Sequence, residues 1–334
     1  MIPKIRVAVN RSCEMRCIYC PRGPFINMEN YDGPEEYCLT ADELVGILSI
    51  MKPYGLQDVH LTGGEPLRRG DLTTLISCLT ANQFKVELNT NGFGLNNKER
   101  ILKIKEAGVK FLKISLDTPN RESFLAFTGI DAFDRVLSGI KNALEIMPVR
   151  LNCVVMRSNL DSVIPLLNLC NDLGVQEIHL LDLTYYPCSG NRAFWEKEFV
   201  YLTKELKPMI EAKYGKKFEP LPIYGCRFYR LETKPQGTAV TLKEAQPTMR
   251  IPNCSDCQEY CHEGVFTLRL SAGGYLNFCP CNNQNGFNAL DLYKKGQLDE
   301  AIAKLAAVFS QAQPTDSFQE FLTKNQLTFP GGGS

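Results

Sequence analysis

Histidine is almost missing from this chain: three residues in 334, at His60, His179 and His262. So few, so far apart, cannot build a multi-histidine metal site, so sulfur would have to hold any metal. Net charge is missing as well. The 37 lysines and arginines balance 37 aspartates and glutamates, which argues against a protein that coats nucleic acid or an anionic membrane. No run of about 18 uncharged apolar residues occurs, and the opening MIPKIRVAVNRSCEMRC lacks a signal-peptide core. The expectation is a cytoplasmic protein with no membrane and no nucleic-acid partner. In that compartment thiols stay reduced, and clustered cysteines imply metal or catalysis rather than disulfides.

Cysteine, by contrast, is plentiful at fourteen residues. Three fall together at Cys13, Cys17 and Cys20, and five at Cys254, Cys257, Cys261, Cys279 and Cys281. Cys38, Cys78, Cys153, Cys170, Cys188 and Cys226 are scattered singly. Of these, Cys78, Cys153 and Cys170 lie in apolar-periodic segments, where a thiol packs as a small hydrophobe. Cys226 stands near the second group and is a further candidate ligand there.

Between the two groups, short apolar runs alternate with amphipathic ones. Residues 5–9, 58–62, 85–89, 111–115, 151–155 and 177–183 read as buried strands. Thr40-Ala-Asp-Glu43 is a capping box opening a helix through about Met51, with Gly55 ending the connection. Helical patterns follow at 71–82, 97–107, 133–146 and 160–173, with Gly108 and Gly174 as stop signals. Six βα units predict an α/β fold with a parallel sheet, and they are too few for an eight-fold barrel, so a partial (β/α)6 barrel is expected over 1–213. A helix is expected near 195–209, then a loop-rich connection over 214–252. Next come the second cysteine group, a hairpin with Gly273-Gly274 at its turn, and a last helix at 298–309. A second domain is assigned to 214–330. The terminal Gly331-Gly332-Gly333-Ser334 resembles an engineered flexible linker.

Cys13-x3-Cys17-x2-Cys20 offers three thiolates in eight residues directly after the first strand. Three ligands to a four-iron cubane leave one iron open to a small molecule. A structural zinc site, the competing reading, wants four protein ligands. With an aromatic, Tyr19, before the third cysteine and Gly63-Gly64-Glu65-Pro66 after the second strand, the pattern resembles the radical S-adenosylmethionine superfamily over about residues 1–190. That resemblance implies a [4Fe-4S] cluster on Cys13, Cys17 and Cys20, with S-adenosylmethionine on its open iron. It also implies an external electron donor. The reduced cluster would cleave the cofactor, and the resulting 5′-deoxyadenosyl radical would take hydrogen from substrate. Side chains would then position rather than react, and no catalytic residue is named. The resemblance assigns cofactor contacts to Tyr19, Gly63, Gly64, Glu65, Thr90 and Ser115, and to Arg157, which with Asn152 and Asp182 could equally face substrate or be structural. Adjacent glycines would let the backbone approach a ligand closely.

The second group, followed by a hairpin, resembles the twitch and SPASM auxiliary-cluster domains. The shorter twitch type, with one auxiliary [4Fe-4S] cluster, fits better because no cysteine follows Cys281. Which four of Cys254, Cys257, Cys261, Cys279 and Cys281 would ligate it is open, and a zinc ribbon is the alternative. The layout is also similar to that of the molybdopterin-biosynthesis GTP cyclases, down to Leu268-Arg-Leu-Ser271. Two departures stand out: His262 and Val265 occupy expected cysteine positions, and Thr267 replaces the first arginine of an Arg-x-Arg pair, leaving Arg269. A positive pair suits a triphosphate. The expectation is therefore a maturase of ribosomally made peptides, such as a splicease or crosslinking enzyme, acting with a separate leader-binding partner protein. A nucleotide or sugar radical enzyme such as a GTP cyclase is the alternative.

Overall fold

The structure, a computed structural model, describes Ile2 and residues 4–20, 38–185, 192–221, 227–233, 237–244, 249–251, Cys254, 267–279, 286–315 and 323–324. Cys188, Cys226, Cys257, Cys261, Cys281, His262, Val265 and the terminal Gly-Gly-Gly-Ser lie outside the described residues.

Strands β1 (Lys4–Ala8), β2 (Asp58–Thr62), β3 (Lys85–Thr90), β4 (Leu112–Ser115), β5 (Val149–Val155) and β6 (Glu177–Asp182) pair in parallel in chain order. Parallel pairing requires a crossover between each pair. These are α1 (Ala41–Met51), α2 (Leu72–Ala81), α3 (Lys98–Glu106), α4 (Arg121–Thr128) with α5 (Phe133–Leu144), and α6 (Val163–Leu173). The capping box at Thr40 and Glu43 opens α1 as its spacing predicts, and Gly174 closes α6 in the left-handed conformation at φ 73°. The strand residues between the chamber-facing ones (Ile5, Val7, Val59, Leu61, Leu88, Ile114, Leu151) are fully buried against these helices in one continuous core.

Three elements differ from expectation. The sequence reading has no α4, a short amphipathic helix capped by Asn120 and ended by Gly129 at φ 73°. The expected helix at 195–209 is broken into α7 (Arg192–Glu198), a π-turn at Leu202–Leu206, and α8 (Lys207–Tyr214). The stretch 214–252 is not simply loop. It holds β7 (Glu219–Leu221), β8 (Arg227–Leu231), β9 (Ala239–Glu244) and β10 (Met249–Arg250). β7 and β10 are three and two residues long, and β8 and β9, of five and six, lie among Lys, Pro and Gly with no helical pattern between them to set off a βα unit.

Beyond them, β11 (Thr267–Leu270) and β12 (Tyr275–Asn277) form the expected hairpin, continued by β13 (Gly286–Asn288), α9 (Ala289–Lys294) and α10 (Leu298–Ser310). Residues 313–314 form β14, which pairs with β10 in antiparallel fashion. The hairpin turn needs Gly274: its φ is +94°, and a Cβ there would lie 2.6 Å from Leu290 Cβ. β9 adds in parallel to β6, and β11 adds in parallel to β1. Among the described residues twelve strands thus form one sheet, ordered β13-β12-β11-β1-β2-β3-β4-β5-β6-β9-β8-β7. Side chains from β8 and β9 at one side and from β11 at the other line the same interior chamber, so the sheet curls into an open barrel. The sheet hydrogen bonds run unbroken across the residue 213/214 boundary.

Candidate active site

The cysteine loop, residues 9–20, sits at the C-terminal end of β1, where barrel sites collect. Two neighbours hold its backbone. Arg16 N donates to Thr128 O at 2.7 Å and Ile18 N to Phe127 O at 3.0 Å, tying it to the end of α4. On the other side, Gly64 N donates to Asn10 O at 3.1 Å and Glu65 N to Ser12 O at 2.8 Å. This contact explains the glycine pair. A Cβ at Gly63, whose φ is +135°, would fall 2.6 Å from Asn10 O, and one at Gly64 would fall 2.1 Å from Ser12 O. The close approach that the glycines permit is to the cysteine loop's own backbone.

Cys13, Cys17 and Cys20 line one cavity of about 230 Å³, together with Met15, Tyr19, Gly64, Thr90, Ser115, Thr118, Phe124 and Phe127 among others. Burial pushes the Cys17 thiol up to about 12, with Asp117 adding to the effect, and burial raises Cys13 as well. These thiols therefore hold their protons until a metal displaces them. Thr118 Oγ1 is buried at the cavity wall with no hydrogen-bond partner among the described residues. Among the described residues no three cysteine, histidine or carboxylate side chains are gathered closely enough to share a single metal ion, but three thiols around one cavity, with an apolar rim and an unanswered hydroxyl, fit a larger thiolate-held cluster with a polar ligand beside it.

Glu65 reaches the site in a different manner from that expected. Its carboxylate is 1% exposed and accepts from Thr90 Oγ1 at 2.5 Å, Asn91 N at 2.7 Å and Leu67 N at 3.0 Å. Burial pushes it up to about 7 against those three donors. The carboxylate pins the Gly-Gly-Glu-Pro segment to the end of β3, and it occupies the Thr90 hydroxyl in doing so. Asn91 Nδ2 then lies 3.7 Å from Cys13 Sγ. Tyr19 donates to Asp117 Oδ2 at 2.8 Å, and Asp117, pushed up to about 6 by burial, also accepts from Val154 N. Arg157 does not join the site: its guanidinium is bidentate on Glu205 and donates to Phe199 O, beyond the end of β5. Asp182 is buried at the end of β6 and lines neither cavity.

Below this cavity lies a larger chamber of about 380 Å³ inside the barrel. Tyr19, Thr62, Asn89, Ser115 and Asp117 line both. The chamber wall carries Lys4, Arg6, Lys113, Lys243 and Arg269, with His60, Asn152 and His179. In the parallel register Arg6 stands opposite Arg269 on one side and His60 on the other, and Lys4 stands opposite Thr267. The sequence reading missed this chamber. Its signal was there in polar and charged residues at every second position of strands otherwise apolar.

A curled parallel sheet with a three-thiol loop over a polar interior defines a barrel enzyme that works through a sulfur-held metal cofactor. The comparisons with known proteins make this specific. The sequence matches the Radical SAM superfamily over residues 7–170. A protein of Saccharolobus islandicus (strain M.14.25 / Kamchatka #1) named "Probable GTP 3',8-cyclase" is 32% identical over 302 residues, 89% of each chain. One of the same name from Pyrococcus horikoshii is 28% identical over 313 residues, 93% of each. Among solved structures, Streptococcus suis SuiB bound to S-adenosylmethionine superposes with a TM-score of 0.61 at 16% identity, covering 90% of this chain and 68% of that one. The chain belongs to the radical SAM superfamily and is a radical SAM enzyme, and membership brings a [4Fe-4S] cluster and S-adenosylmethionine.

The comparisons overturn one expectation. A peptide-maturase reading is set aside, because relatives sharing nearly a third of their residues along almost the whole chain carry the cyclase name. SuiB, also solved with the precursor peptide SuiA, shares the fold at 15–16% identity and no more. Overall neutrality had favoured a peptide, but it conceals a local concentration of cations in the chamber. Among the described residues no helix is long and apolar enough to cross a membrane.

Proposed function

We propose that this enzyme acts on a nucleoside triphosphate, GTP, in a reaction of the 3',8-cyclase type. The observation that carries the reading is the Arg6–Arg269 pair, side by side on β1 and β11 and facing a chamber that shares a wall with the thiol cavity. Paired guanidiniums match phosphate oxygens in geometry and charge. Thr267, where a second hairpin arginine was expected, has Lys4 beside it in register, which keeps a cation at that level.

Cys13, Cys17 and Cys20 would hold the cluster, which with S-adenosylmethionine supplies one-electron chemistry able to open a substrate C–H bond. Gly64, Tyr19 and Ser115 form the cavity wall around that cofactor. Met15, Phe124 and Phe127 keep water from it, and the cations hold the substrate's phosphates at the far end. The second cysteine group would frame an auxiliary [4Fe-4S] cluster. Of that group Cys254 and Cys279 are described, both half-buried, while Cys257, Cys261 and Cys281 are not. An external one-electron donor completes the cycle.

Anaerobic reconstitution tests this directly. About eight irons per chain are expected, with 5′-deoxyadenosine released under reductant and stimulated by GTP. Arg269→Ala should weaken GTP binding about ten- to a hundredfold, the worth of a charged hydrogen bond. GTP that neither binds nor stimulates cleavage would refute the substrate assignment.

A further inference from the structure

The strands place a neutral group beside the arginine pair. Across β11, β1, β2 and β3, Arg269, Arg6, His60 and Glu87 lie at one level in register. His60 Nε2 is 3.1 Å from Glu87 Oε2, and the same carboxylate oxygen takes the ammonium of Lys113. Burial works to raise Glu87, but the cations around it, with the Lys113 ammonium in direct contact and Arg150 beyond, hold it below the usual carboxylate range, so it is ionised. Burial holds His60 down to about 3, and Lys113, Lys4 and Arg6 push the same way against Glu87. His60 is therefore neutral across the working range. A neutral imidazole facing a carboxylate must present an N–H to it, which fixes the Nε2–H tautomer and leaves the Nδ1 lone pair as an acceptor. His60 lines the chamber, and Glu87 is its hydrogen-bonding partner among the described residues.

Resting on the nucleotide reading above, we infer that His60 is a specificity-determining residue. Its Nδ1 accepts a hydrogen bond from a donor on the sugar–base end of the nucleotide, while the neighbouring arginines take the phosphates. Two donors share this chemistry: a ribose hydroxyl and a guanine N–H. Glu87 and Lys113 are positioning residues that lock the tautomer. A site built to receive a donor rejects an analogue lacking it, because the acceptor is left unpaired.

Calorimetric titration of the cluster-loaded protein with GTP, 2′-deoxy-GTP, 3′-deoxy-GTP and ITP reads this without turnover. The wild type should bind one of the three analogues about three- to tenfold more weakly than GTP, and which one identifies the donor. In His60→Phe, GTP should fall to the level of that analogue. His60→Asn, which keeps an acceptor oxygen at the δ position, should restore the ratio. Should His60→Phe not fold, Glu87→Leu serves instead: with no carboxylate for Nε2–H to donate to, the freed Lys113 ammonium favours Nε2 as an acceptor, Nδ1 then carries the proton, and discrimination is lost with the histidine in place. Equal binding of all four by the wild type, or unchanged ratios in His60→Phe, overturns the inference and leaves the nucleotide reading standing. A wild type that binds none of the four overturns both.

Discussion

At the scale of single residues, the site depends on contacts that shape its wall from behind as well as on what the wall presents. Gly64 and Glu65 illustrate it. The glycine gives the cysteine loop room to lie against the Gly-Gly-Glu-Pro segment, and the glutamate ties that segment to the end of β3 through two hydrogen bonds while a third, from Leu67 N, caps its own turn. Gly64→Ala should therefore act on the loop before it acts on any cofactor. Its Cβ would meet a backbone carbonyl 2.1 Å away, and backbone on both sides cannot yield as a side-chain tip can. We expect a loss of about 1–3 kcal/mol, the usual cost of overpacking, together with loss of iron from the first cluster. Thermal denaturation and iron analysis check this. A variant with wild-type melting temperature and full iron would remove the docking role assigned to the glycine.

At the scale of elements, Glu177 joins four strands. From the start of β6 its carboxylate meets Arg150 on β5 at 2.8 Å, Thr241 on β9 at 2.7 Å and Arg230 on β8 at 2.5 Å, with His179 at 3.1 Å. Burial works to raise its pKa, but His179, Thr241 and Arg150 prevail and bring it down to about 2. A carboxylate depressed on folding stabilises the native state fully above its ordinary value of 4.5. That stabilisation is lost as the pH falls through about 2. In Glu177→Gln, melting temperature should be lower at neutral pH and should fall less steeply than the wild type's between those values. Parallel curves would show that the network contributes nothing to the acid limb. This junction also marks the limit of what the sequence could disclose. The six parallel strands and most helices were legible because apolar periodicity sustained over whole elements is a strong signal. The thiol triad was legible because its spacing is local. β7 through β10 were not: β7 and β10 are only three and two residues long, and β8 and β9, though as long as the earlier strands, have no amphipathic helix between them to mark a βα unit. Nor was the barrel interior: Lys4, Arg6, His60, Lys113 and Arg269 stand far apart in sequence, and only parallel register makes them neighbours.

For the whole molecule, the same register bears on where the fold can be divided. Composition changes near residue 213, and a boundary there is natural to read from sequence. The hydrogen bonding runs otherwise. β9 and β11, both beyond that point, are the outer parallel partners of β6 and β1, so the segment 214–330 clasps the first six strands from both sides. Val240, Leu242, Leu268 and Leu270 are each at most 1% exposed and belong to the core that the first half lines. At about 1.5–3 kcal/mol for each fully buried side chain, these four alone supply roughly 6–12 kcal/mol, as much as the entire stability of a typical domain. Removing them also bares two parallel strand edges, which invite pairing with other chains. Residues 1–213 expressed alone should therefore aggregate or remain uncompacted, while the full chain elutes as a compact species in size-exclusion chromatography with a cooperative thermal transition. A monomeric 1–213 fragment that melts cooperatively would mean that the first six strands are self-sufficient. The chamber cations Lys243 and Arg269, both carried on the clasping strands, would then belong to a detachable module. If the fragment fails as expected, the chamber and the barrel form in one folding event, and the cations cannot be assembled without closing the sheet around them.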